Sequence, residues 1–226
     1  MTGQAIGEVF VFGVGVALSP LAVVAVVVML VAPRGAGPAW AFAGGWVLSL
    51  ASVSTLMLLL ADEADAGTNG APASWVSVVK IIVGMFLVLF AVRQWRGRDG
   101  GDAASHPPSW LRKLDNVTVA KAAGLAVLFN AVKPKNLLLT IGAGVAVAQV
   151  GASASGQAAA VAVFVLLGTV GPGIPLAIHV LMPHRGAVLL IGLREWMVRE
   201  NATIVAVLAL VIAAKLLGDA LVSLTS

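Results

Sequence analysis

Apolar residues run almost unbroken through six stretches of the chain, near residues 5–31, 38–61, 75–95, 119–149, 157–182 and 200–223. Each reaches the ~20 residues that a helix needs to cross a bilayer. The separators carry charge or turn residues: Pro33-Arg34-Gly35, then Asp62-Glu63-Ala64-Asp65, then the polar stretch 96–116. Gly151 to Gly156 and Pro183 to Arg199 follow. The pattern predicts an all-α membrane protein of six transmembrane helices.

The third separator is the longest, and its Gly97-Arg98-Asp99-Gly100-Gly101-Asp102 run with Pro107-Pro108 reads as a flexible linker. It divides the chain into a first three-helix repeat at 1–95, a cytoplasmic linker at 96–118 and a second repeat at 119–226. Three crossings on each side give the halves opposite orientation, the arithmetic of two inverted repeats.

Composition agrees. Of 226 residues, 60% are hydrophobic and 11% charged, with a mean hydropathy of +1.02. A soluble domain carries about 25% charged residues, so lipid must be the solvent for much of this chain. There is no cysteine, which removes disulfides and thiolate chemistry. The net charge of +4 and a pI near 10.0 raise nucleic acid as a partner, but the basic residues lie scattered at membrane edges, where they suit lipid headgroups.

Those basic residues set the expected orientation. Arg34, Arg93, Arg96, Arg98, Arg112, Lys113, Lys121, Arg185, Arg194 and Arg199 all fall after spans one, three and five, ten of the fourteen Lys and Arg. The other side holds Asp62, Glu63 and Asp65. Short Lys/Arg-rich loops stay in the cytoplasm, which predicts a multi-pass protein of the bacterial inner (plasma) membrane with both termini outside. The N-terminus has no positive n-region and is expected to be a retained first helix.

Spans one and four are each interrupted by proline, at Leu18-Ser19-Pro20 and at Lys133-Pro134-Lys135-Asn136. Each proline stands about 15 residues into its span, ~22 Å along a helix. A proline removes one backbone hydrogen bond and clashes with the turn before it. In hydrocarbon such a break persists where it is buried in protein or lines a wet cavity, and matched breaks in two halves point to a transporter's binding site. Simple kinks are the competing reading. Gly171-Pro172-Gly173-Ile174-Pro175 in span five is expected to interrupt the helix too, as a hinge or third broken element.

The Leu-Ser-Pro of span one, Ala39-Trp40-Ala41-Phe42-Ala43-Gly44-Gly45-Trp46 in span two and Lys133-Pro134-Lys135-Asn136-Leu137-Leu138-Leu139 in span four resemble the GAP family. These are the peptidoglycolipid-addressing, or Sap-like, proteins of actinobacteria within the LysE transporter superfamily. The resemblance covers essentially the whole chain and implies an exporter of lipid or glycolipid. Amino-acid exporters of the superfamily commonly have asparagine before both prolines; Ser19 and Lys133 stand there instead, which favours the lipid branch.

Within the spans, Lys133 and Lys135 have no route to an interface. Two apart on a helix they point ~200° apart, unless Pro134 opens the backbone and lets both face a cavity. With Asn136 and an exposed helix N-terminus they would suit an anionic group; binding of broken-helix carbonyls is the structural alternative. Lys80 is expected to snorkel. Lys215 and Asp219, four apart in span six, share a face as an ion pair or a proton-coupling site, and Glu8 is a second protonation candidate. His106, His179 and His184 make no metal site with carboxylates at usual spacing.

No His-Glu-x-x-His, Gly-x-Ser-x-Gly or P-loop occurs, so neither an enzyme nor a cofactor is expected. The reading is a secondary exporter whose substrate site is Ser19, Pro20, Lys133, Pro134, Lys135 and Asn136. A small-solute exporter and a non-translocating scaffold of a larger lipid-export complex are the competing readings. A laterally open apolar cavity would favour lipid. The small residues Gly142-Ala143-Gly144 permit close helix packing, within one subunit or between the two of a homodimer.

Overall fold

The computed structural model describes residues 1–66, 74–96, 113–182, 186, 188–192, 206–207, 210–214 and 216–218. Among them every regular element is helical. In chain order these are α1 (Thr2–Ala17), α2 (Pro20–Val31), α3 (Gly37–Ala66), α4 (Ser74–Arg96), a 3-10 turn (Lys113–Asn116), α5 (Val119–Val132), α6 (Pro134–Gln149) and α7 (Ala154–Leu181). Short helical pieces follow within 186–218.

Both proline breaks are present. α1 stops at Leu18, α2 starts on Pro20, and the pair bends by 53°. α5 stops at Val132, Lys133 is extended at φ −81° and ψ 108°, and α6 starts on Pro134. Proline suits the first turn of a helix, where its missing N–H would have no partner anyway. Each proline therefore ends one half-helix and opens the next.

α3 over Gly37–Glu63 and α7 are long and apolar enough to cross a membrane, and α1 with α2 make a third crossing if the bent pair is one span. Large apolar side chains point outward, among them Leu48, Leu56 and Leu59 on α3 and Leu166, Val170 and Ile174 on α7. In water that surface would drive aggregation; in lipid it is the matching face. This is a helical membrane protein.

The packing follows a pairwise order. α1 lies along α7, and α3 along α5 and then α6. Contacts run in register: Thr2 with Gly156, Gly13 with Leu167 and Ala17 with Gly171 make α1 and α7 parallel. Gly45 with Ala123 and Gly144 with Ser54 do the same for α3 and the α5–α6 pair. Phe12 with Gly142 and Gly15 with Leu139 make α1 and α6 antiparallel. Gly142 and Gly144 thus use their small size inside one subunit, against α1 and α3.

Two glycines with positive φ, Gly35 at 75° and Gly151 at 61°, turn the chain after α2 and α6. At the Gly151 end, the Gln157 amide donates to Asp62 at 2.9 Å, close to Thr2 on Gly156. At the other, the end of α2 packs on the 3-10 turn.

The expected interruption at Gly171–Pro175 is not there. α7 runs unbroken from Ala154 to Leu181 with Pro172 and Pro175 inside it. Pro172 cannot donate to the carbonyl of Gly168, four residues back. The indole Nε1–H of Trp46 donates to that carbonyl instead, at 3.1 Å. A donor from α3 replaces the missing amide, and the helix continues.

Candidate functional site

The two breaks meet. Asn136, in the first turn of α6, donates through Nδ2 to Ser19 Oγ at 2.9 Å, and the Ser19 hydroxyl lies 3.1 Å from Asn136 Oδ1. Residues 117 apart in sequence are thereby joined, both buried. Four half-helix ends converge on this point, which concentrates main-chain groups that the helices themselves do not pair.

Lys135 caps one of those ends. Its ammonium donates to the carbonyls of Gly15 at 3.0 Å and Leu18 at 2.9 Å. In an unbroken helix those carbonyls would take the amides of Ser19 and Ala22. Here the Ala22 and Val23 amides turn to the Ser19 carbonyl, at 2.9 and 3.3 Å. The C-terminal end of α1 carries partial negative charge, and the lysine supplies the matching cation. The side chain is only 7% exposed.

Lys133 points elsewhere. Its ammonium sits 4.3 Å from the centroid of the Phe129 ring, a cation–π contact. Phe129 in turn meets Phe42 edge-on, with centroids 5.8 Å apart. The break does separate the two lysines from simple helical geometry, but toward different neighbours rather than one cavity.

From Asn136 a buried polar chain extends further. Thr140 Oγ1 donates to the Asn136 carbonyl at 2.8 Å and lies 3.4 Å from Asn130 Oδ1. Asn130 Nδ2 donates to Ser49 Oγ on α3 at 3.0 Å. All of these side chains are at most 5% exposed. Asn130, Thr140 and Ser49 escape a reading of the sequence centred on proline and charge. The signal that would find them is spacing: Thr140 stands four residues after Asn136, on the same face.

Beside this polar core lies an apolar groove of about 690 Å³ between α3 and α7. Trp40, Ala43, Gly44 and Val47 form one wall; Thr169, Gly173, Leu176, Ala177, Val180 and Leu181 form the other. Both sets recur at helical spacing, so each is one stripe of its helix. The α7 stripe runs over thirteen residues, Thr169 to Leu181, ~18 Å for twelve rises of 1.5 Å, close to one leaflet of a ~30 Å hydrocarbon core. Its deep end adjoins Gly168 and Gly171, which pack on Val16 and on the Ala17 carbonyl beside the first break. Its outer end reaches the terminus of α7.

The remaining expected residues fall apart from this centre. Glu8 is half-buried on α1, and His179 is half-buried near the end of α7. Pro172, Gly171 and Pro175 are buried inside α7, and Gly173 lines the groove. Lys215, Asp219, His106 and His184 lie outside the described residues, and so do most of 96–118 and the side chain of Lys80. Among the described residues no cluster of His, Asp and Glu could hold a metal ion.

The model of a family described as "Sap, sulfolipid-1-addressing protein" matches residues 9–222. No curated protein and no solved structure matches the chain.

Proposed function

We propose, from the premise that this chain belongs to the Sap, sulfolipid-1-addressing protein family, that it is a secondary transporter moving a lipid or glycolipid with an anionic or polar headgroup across the inner membrane. The observation that carries the reading is the groove between α3 and α7. It is apolar along its length, about 690 Å³ in volume and ~18 Å long by the helical rise of its α7 wall, dimensions suited to an acyl chain. A volume in the ~300–1,000 Å³ range is typical of sites for small organic ligands, but a hydrophilic solute would need more polar lining than Thr169 offers.

In this reading the tail lies in the groove, whose deep end adjoins Gly168 and Gly171 beside the first break, and the headgroup passes along the polar residues of that break. Lys133, whose ammonium lies over the Phe129 ring, would meet an anionic headgroup there. The family description refers to a sulfolipid, whose headgroup is anionic. Six spans in two inverted repeats complete the scheme: the parallel pairs α1–α7 and α3–α5/α6, with α1 antiparallel to α6, are the directions that alternating crossings require. The basic ends would face the cytoplasm.

A non-translocating scaffold is the second reading, favoured by one observation: Lys135 bonds to the Gly15 and Leu18 carbonyls and Asn136 to Ser19, so these side chains are engaged by the protein itself. Reconstitution separates the two. Purified protein in liposomes containing fluorescently tagged phosphatidylglycerol should equilibrate the tag between leaflets without any partner, at a rate well above protein-free vesicles. Rates equal to protein-free vesicles would reject transport.

A further inference from the structure

The ammonium of Lys135 sits where a free cation would sit. Discontinuous helices in transporters commonly coordinate a coupling Na⁺ or H⁺ with unwound carbonyls and half-helix C-terminal ends. Here the Gly15 and Leu18 carbonyls at the end of α1 make such a nest, and a tethered nitrogen fills it at 3.0 and 2.9 Å. We propose that Lys135 is this transporter's built-in coupling cation, so that gain and loss of a proton on its amine, rather than of a metal ion, closes and releases the break in the first span. The inference rests on the transport reading above.

Three features support it. Among the described residues the lysine's hydrogen-bond partners are two neutral carbonyls, those of Gly15 and Leu18. It stands in the first turn of α6, the positive end of a helix, where a cation is disfavoured; the carbonyls at the end of α1 compensate. Its burial removes water as an alternative partner. Charge-assisted hydrogen bonds are about twice as strong as neutral ones, so loss of the proton weakens the tie between α1 and α6 and lets the break release. The proton passes to water on whichever side the opened break then admits, and returns from the other.

The described ionisable groups on neighbouring elements are Glu8 on α1, Asp62 and Glu63 on α3, Arg93 and Arg96 on α4, Lys121 and Lys133 at the two ends of α5, and His179 on α7. Asp62 is engaged by Gln157. Lys133 lies two residues away over Phe129.

The chain has no cysteine, which makes site-directed spin labelling direct. Phe10→Cys on α1 and Val31→Cys at the end of α2 are both exposed and report the angle across the break. In nanodiscs, with Na⁺ absent, the distance between the labels should differ between acidic and alkaline buffer. Lys135→Arg, which keeps the charge at every pH, should hold the acidic distance throughout. Lys135→Met should lose the response. Added Na⁺ at fixed pH should change nothing in the wild type. A pH response surviving in both variants, no response in the wild type, or a response to Na⁺ would overturn the proposal. Because these labels are read without flux, a wild-type pH response with no lipid movement in liposomes would reject transport alone.

Discussion

Trp46 donates its indole N–H to the carbonyl of Gly168 at 3.1 Å, the carbonyl that Pro172 leaves without its intrahelical amide. One side chain on α3 thus keeps α7 continuous across a proline. It also ties together the two helices that wall the groove. Trp46 is fully buried and stacks on Phe42, with centroids 6.0 Å apart.

Replacing Trp46 by Phe should keep most of the packing and leave the Gly168 carbonyl unpaired. An unsatisfied buried acceptor costs about 1–3 kcal/mol, visible as a lower midpoint in thermal unfolding in detergent. Pro172→Ala restores an amide at the same carbonyl, so the double variant should recover much of the loss. A double variant as unstable as the sum of the singles would show that the indole and the proline are not coupled.

Gly171 is pressed against the main chain of Ala17 at the end of α1. A methyl group there meets backbone that cannot rotate away, so Gly171→Ala should destabilise by about 1–3 kcal/mol, the usual range for overpacking. Gly173, two residues on, has open space around its Cα. Gly173→Ala should be neutral or stabilising by up to ~1 kcal/mol, since alanine favours the helix. Thermal unfolding of the pair checks both signs.

Asn130 links α5 to α3 through Ser49. Interhelical hydrogen bonds in membranes average ~0.6 kcal/mol and reach ~1.7. Asn130→Ala should cost about 1 kcal/mol, and Ser49→Ala in addition should cost little more. Unfolding midpoints of the two singles and the double measure that coupling.

Lys133→Met removes a cation that faces an aromatic ring rather than a carbonyl nest. Stability should change by no more than ~1 kcal/mol, the scale of an exposed cation–π pair. Movement of tagged phosphatidylglycerol should slow several-fold while that of tagged phosphatidylcholine is unchanged. Equal slowing of both would remove Lys133 from headgroup recognition.

The two breaks were legible because proline acts locally: Pro20 and Pro134 each dictate the end of one helix whatever surrounds them. The continuity at Pro172 was not, because the donor that permits it, Trp46, lies over a hundred positions away and only folding brings it near. The same holds for Lys135. Its charge and its place beside a proline marked it as special, yet nothing in the local sequence shows that its partners are the Gly15 and Leu18 carbonyls. Asn130, Thr140 and Ser49 are unremarkable singly and become a chain only once α3, α5 and α6 pack. The groove is likewise a property of two helices facing each other, although its glycine wall at Gly44 stands in a motif that the sequence made visible.

Gly44 offers the most direct test of the account, because it lines the groove and a Cβ added there meets nothing within 4 Å. Gly44→Phe should leave the unfolding midpoint of the wild type intact or raise it, while filling the space an acyl chain needs. Movement of tagged phosphatidylglycerol between the leaflets of liposomes holding this variant should fall at least tenfold. Wild-type rates from a folded Gly44→Phe protein would contradict passage of lipid along the α3–α7 groove.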